Sequence, residues 1–185
     1  DAWATRASCS KKQLQSLVGV LSFAARCVRP GRLHLRRMIQ MLKCRLWRGN
    51  RTLSEGFCAD LAWWRSFMAT FNGVSAFPVT HPSRAAVISF CTDASGVVGY
   101  GGFCGPLYFY GRWTKQEKLG GHRLIGLQEL ATVIFGAAAF GEVIQGKVVR
   151  VDCDNQADVA VISGMSGRTP AYNSLLRGLH QLSVD

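Results

Sequence analysis

The chain has 185 residues, 48% of them apolar and 18% charged, with a formal net charge of +11. That length suits one comfortable core or two small ones, and that balance excludes a disordered polyelectrolyte. No apolar run reaches the roughly 18 residues a membrane-spanning helix needs, so no membrane partner is expected.

The start, DAWATRASCSKK, lacks the charged-then-apolar-then-small order of a signal peptide. Beginning without Met and ending at Ser-Val-Asp, the chain reads as a segment of a longer polypeptide. Seven cysteines are scattered without a CxxC or a Cys/His pair at zinc spacing. Free thiols of a reducing, intracellular compartment, cytoplasmic or nuclear, are therefore the expectation.

Charge is unevenly spread. Residues 1–54 hold twelve Lys or Arg and one acid, whereas residues 55–185 hold ten of each. Such asymmetry points to a polyanion met by the first third of the chain, since neutralised phosphates release counterions.

Ser10-Lys-Lys-Gln13 has the form of a capping box, and Leu14, Leu17, Val18, Leu21, Ala24, Ala25 and Val28 follow at helical period. A helix over about 11–28 is expected, broken by Pro30-Gly31. A second, basic helical stretch carries Leu35, Met38, Ile39, Leu42 and Leu46 on its apolar side. Arg26, Arg29, Arg32, Arg36, Arg37, Lys43 and Arg45 are the candidate nucleic-acid contacts. Ser54 caps a third helix with a Phe57, Leu61, Trp64, Met68, Phe71 stripe, which Asn72-Gly73 ends; stripes of this kind are ordinarily core. The stretch 72–84, with two prolines and little periodicity, is the expected linker.

Strands follow: Ala86 to Cys91, roughly Gly96 to Phe103, and Leu107 to Trp113, joined by short turns as an antiparallel meander. After a polar loop, LIGLQELATVIFGAAAFG reads as a helix. KVVRVDC then reads as a fourth strand, Gln156 to Ser163 as a helix, and Thr169-Pro170 as the start of a last helix.

Across the first two of these strands, AVISFCTDASGVVGYGGF places Asp93 where an apolar run gives out and glycines begin. Taken alone, an acid before Ala-Ser-Gly is a turn former. Glu129 at the start of the long helix and Asp154 at the end of the fourth strand change that reading. Strand ends and helix starts on one side of an α/β layer converge, and three carboxylates gathered there without a cation repel one another. Hard oxygen ligands favour Mg²⁺ or Mn²⁺. For Glu129 the plainer reading is a helix-dipole acid.

The order β-β-β-α-β, with TDAS on the first strand, Glu129 in LQELA and Asp154-Asn155 closing the fourth strand, resembles ribonuclease H. CTDASGVVGYGG, QELATVIFGAAAF, VDCDNQADVAVI and GRTPAYNSLLRGL are similar to the ribonuclease H domains of retroelement polyproteins, particularly DIRS-type (tyrosine-recombinase) retrotransposons. SKKQLQSLVGVLSFAARCVRPGRLHLRRMI resembles the helical thumb of such reverse transcriptases.

The resemblance implies a basic thumb-like or connection-like unit over 1–75. Over 76–185 it implies a ribonuclease H-like α+β or α/β domain, cut short at its C-terminus, with a mixed sheet of three antiparallel strands and a parallel addition. It implies hydrolysis of the RNA strand of RNA-DNA hybrids, with two Mg²⁺ or Mn²⁺ ions held by Asp93, Glu129 and Asp154. The implied partners are a template-primer duplex and the palm and fingers of the parent enzyme. A catalytically weak clamp on the same nucleic acid is the alternative. A fourth family carboxylate has no counterpart, because Asp185 comes too early. Asp158 could lean toward that place, but a first-turn helix acid accounts for it better. Asp152 shares a strand face with Asp154 and competes with it; Asp154 is preferred because it lies at the strand end and precedes Asn155, as in the family motif.

Overall fold

The structure is a computed structural model that describes residues 2–74, 87–118 and 125–183. The chain divides into two compact units, Asp1–Phe77 and Pro78–Asp185. The expected linker lies largely outside the described residues.

In the first unit a two-residue strand β1 (Ser8–Cys9) precedes helix α1 (Lys11–Ala24), whose reciprocal Ser10/Gln13 capping box forms as the sequence implies. The helix ends four residues before the expected Val28. The donors of Arg26 and Cys27 bond three residues back, and Val28 leaves helical geometry as the chain nears Pro30. The basic stretch is not one helix. A 3₁₀ segment (Arg29–Leu35) leads into a short α2 (Arg36–Leu42), which leaves Leu46 beyond it and 76% exposed rather than on a buried side. Strand β2 (Arg51–Thr52) pairs with β1, and α3 (Glu55–Thr70) is capped by the Ser54 hydroxyl.

Leu14, Leu33, Met38, Phe57 and Trp64 make the core of this unit, each nearly or fully buried. Burial of a side chain of this size stabilises by about 1.5–3 kcal/mol.

The second unit holds strands β3 (Val87–Ala94), β4 (Gly99–Cys104) and β5 (Leu107–Arg112) as an antiparallel meander. The short helix α4 (Lys115–Lys118) stands where only a polar loop is expected, opened by a reciprocal Thr114/Glu117 cap. Helix α5 (Ile125–Ala139) is followed by one turn, α6 (Gly141–Ile144), and by β6 (Val148–Asp152), which pairs parallel to β3. The sheet order is β5-β4-β3-β6. Helices α7 (Gln156–Gly164) and α8 (Pro170–Leu182) complete the unit, and α8 is capped by Thr169 with Pro170 at its first position. The result is a mixed α+β unit: a four-stranded sheet, three strands antiparallel and one added in parallel, with flanking helices.

Alternation along the strands decides which face is covered. Phe90 of β3 and Cys104 of β4 point inward and join Val133 of α5 and Phe140 in the core. Gly136 lets α5 lie close, because a Cβ there falls 2.9 Å from the Phe90 ring and 3.1 Å from the Thr92 methyl. The opposite-facing Ser89, Asp93, Phe103, Tyr108, Tyr110 and Arg150 are exposed.

Candidate active site

The parallel pairing of β3 with β6 sets Cys91 opposite Asp152. Two residues further along each chain stand Asp93 and Asp154. Both are exposed, and both line one shallow depression of about 440 Å³ with Thr92, Val151, Asp152 and Cys153. Asp93 is directly opposite Gly101 of β4, so no cross-strand side chain covers it, and its Oδ1 accepts the Ala94 backbone N–H at 2.7 Å. That bond stays within β3 and makes no turn; the hairpin is closed by Ser95, whose N–H donates to Gly99 O at 2.8 Å.

Asp152 and Asp154 are not equivalent. Asp152 is held by Arg150 through Nε at 3.1 Å and a second guanidinium nitrogen at 3.2 Å, and it accepts a long contact from the Cys91 thiol. Burial and the Asp152 carboxylate together push the Cys91 thiol up.

Glu129 occupies the second turn of α5 and is not among the residues lining the depression. Its Oε2 accepts from the Asn155 side-chain amide. Asn155 is the N-cap of α7: its Oδ1 accepts from the N–H of Ala157 at 2.9 Å and of Asp158 at 3.4 Å.

Asp158 is fully buried, unlike an ordinary helix-dipole acid, and neither of its oxygens accepts a hydrogen bond of good geometry among the described residues. Burial raises its carboxyl to about 7, with the Glu129 charge adding to the effect and the Tyr172 hydroxyl opposing it. The Tyr172 phenol is itself pushed up by burial and then by Asp158. Burial likewise pushes up the Cys153 thiol; Asp158, Glu129 and Asp154 add to this against the Asn155 backbone. Gly126 of α5 completes the packing, because a Cβ there meets the Tyr172 hydroxyl and lies 3.4 Å from Asn155 Nδ2.

Of the three carboxylates expected to converge, two share a depression and the third is tied to the residue that follows one of them. Among the described residues no group of three or more His, Cys, Asp or Glu side chains is gathered closely enough to hold a metal ion. The reading of Asp158 as a first-turn helix acid holds, but its complete burial was not foreseen. Sequence reasoning missed the Asn155 bridge, for which the available signal was an Asn placed to cap the helix directly after Asp154.

In the first unit Arg26, Arg29, Arg32, Lys43 and Arg45 are exposed, while Arg36 and Arg37 are half-buried. Arg37 departs from the expectation of a free phosphate contact. It donates to Gly56 O at 2.9 Å and to Asp60 at 3.2 Å, and Asp60 also meets His34 Nδ1 at 3.1 Å. That cluster fastens the 3₁₀ segment and α2 to α3.

No helix among the described residues is long and apolar enough to cross a membrane. The chain matches no protein-family model and no curated protein.

Proposed function

We propose that the chain is a thumb-like segment joined to a ribonuclease H-like nuclease unit of a retroelement reverse transcriptase, acting on the RNA strand of RNA-DNA hybrids. The observation that carries this reading is the depression shared by Asp93 and Asp154 on adjacent parallel elements, with Glu129 hydrogen-bonded to the very next residue. Asp93 and Asp154 offer exposed carboxylate oxygens of the kind a hard divalent cation takes, with the nearby guanidinium of Arg150 already engaged by Asp152, while Glu129 would have to turn from Asn155 to join them.

Asp93, Asp154 and Glu129 are the residues that hold Mg²⁺ or Mn²⁺ in this reading. Bound there, such ions would activate water and stabilise the leaving 3′ oxygen. Asp93 stands near the end of β3 on the exposed face of the sheet, opposite Gly101, so a duplex backbone reaches it without displacing a side chain at the paired position of β4. Arg26, Arg29, Arg32, Lys43 and Arg45 supply sequence-independent phosphate contacts.

A second reading, a clamp that grips template and primer without cutting, draws on Glu129 lying outside the depression. Cleavage of a labelled hybrid in Mn²⁺ or Mg²⁺ separates the two. The nuclease reading expects cleavage that Asp93→Asn lowers at least about 100-fold, or ~2.7 kcal/mol of barrier. Hybrid binding with no cleavage by the parent chain supports the clamp, and cleavage unchanged by Asp93→Asn removes the nuclease assignment.

A further inference from the structure

The geometry points to Asn155 as a positioning residue: its amide, oriented by the cap it makes on α7, holds the Glu129 carboxylate in fixed relation to Asp154. This rests on the proposed nuclease and adds a residue which that reading does not use as a ligand.

The orientation of the amide is not free. Asn155 Oδ1 already accepts two N–H groups from the first turn of α7, at 2.9 and 3.4 Å. A flip sets the NH₂ against those donors, so the cap forces Nδ2 to the other side. There it meets Glu129 Oε2. A glutamate side chain has several rotamers. The donated bond selects one arrangement among them. Because Asn155 directly follows Asp154, one hydrogen bond sets the reach from α5 to the β6–α7 junction. Gly126 leaves the room this needs, with the site of its missing Cβ only 3.4 Å from Nδ2.

Capping and holding are separable by substitution. Ser caps helices about as well as Asn does, yet it is too short to span to Glu129. In the 185-residue chain, Asn155→Ser is therefore expected to keep the wild-type melting temperature. The Mn²⁺ concentration needed for half-maximal hybrid cleavage should rise about 10–100-fold, with KM for hybrid unchanged. Wild-type Mn²⁺ dependence in a stably folded Asn155→Ser overturns the proposal.

If the parent chain cuts nothing, the nuclease reading fails on its own and the holding role is read by NMR. The Asn155 side-chain amide resonances should then move in Glu129→Ala and stay in place in Asp93→Asn. Resonances indifferent to Glu129→Ala overturn the positioning role whatever the activity.

Discussion

Each unit buries one aspartate at the meeting of three helical segments, and the two are treated in opposite ways. Asp60 of α3 is 1% exposed and is met by His34 and Arg37, from the 3₁₀ segment and α2. Asp158 of α7 is fully buried and faces Glu129 of α5 and Tyr172 of α8, and none of the groups that move its titration is a cation. The first arrangement is architecture, because a buried charge with partners fixes how its elements meet. The second keeps acids together at a cost, which folding alone gives no reason to accept. Strain of this kind marks the region where chemistry is proposed.

The comparison is tested most severely by deleting both acids. Asp60→Ala leaves His34 and Arg37 without their shared acceptor, and a loss of about 3–5 kcal/mol is expected from chemical denaturation. Asp158→Asn should act in the reverse direction. The folded carboxyl titrates at about 7, above the ordinary aspartate value of 3.8. Its neutral form therefore contributes fully below about pH 4, and that contribution is lost as pH rises through 7. Asp158→Asn is thus expected to raise stability at pH 8 by a few kcal/mol, since each tenfold change in proton affinity between folded and unfolded chain is worth about 1.4 kcal/mol. The gain should vanish toward pH 4, as melting curves across that range show. A destabilised Asp158→Asn at pH 8 breaks the contrast.

Smaller effects sharpen it. Gly136→Ala pushes a methyl toward Phe90 and Thr92 and should cost about 1–3 kcal/mol through the sheet unit. Ser54→Ala removes the α3 cap and should cost about 1 kcal/mol, felt in the basic unit alone.

Local signals were legible in the sequence. The Ser10 capping box, the Ser54 and Thr169 caps and the three antiparallel strands depend on neighbours in the chain, and each reads directly from residue type and spacing. Helix α4 carried its Thr114-x-x-Glu117 signature but was too short and polar to stand out from a loop. What could not be read depends on packing between distant segments. The pairing of β1 with β2, the capture of Arg37 by Asp60, and the Asn155–Glu129 bridge each join elements that only the folded chain brings together. Leu46 shows the same limit from the other side. Its helical spacing was sound, but the helix stopped at Leu42 and left it in solvent. In the site, Asp93 and Asp154 were legible as strand-end acids. The Arg150 grip on Asp152, which separates that residue from Asp154, was not.

The central claim is that Asp93 and Asp154, and not Asp152, form a hard-cation site. Mn²⁺ binding followed by EPR in wild type, Asp93→Asn, Asp154→Asn and Asp152→Asn tests it most directly. Binding that is lost in the first two variants and kept in Asp152→Asn is the predicted result. No binding by wild type, or loss in Asp152→Asn with retention in Asp154→Asn, contradicts it.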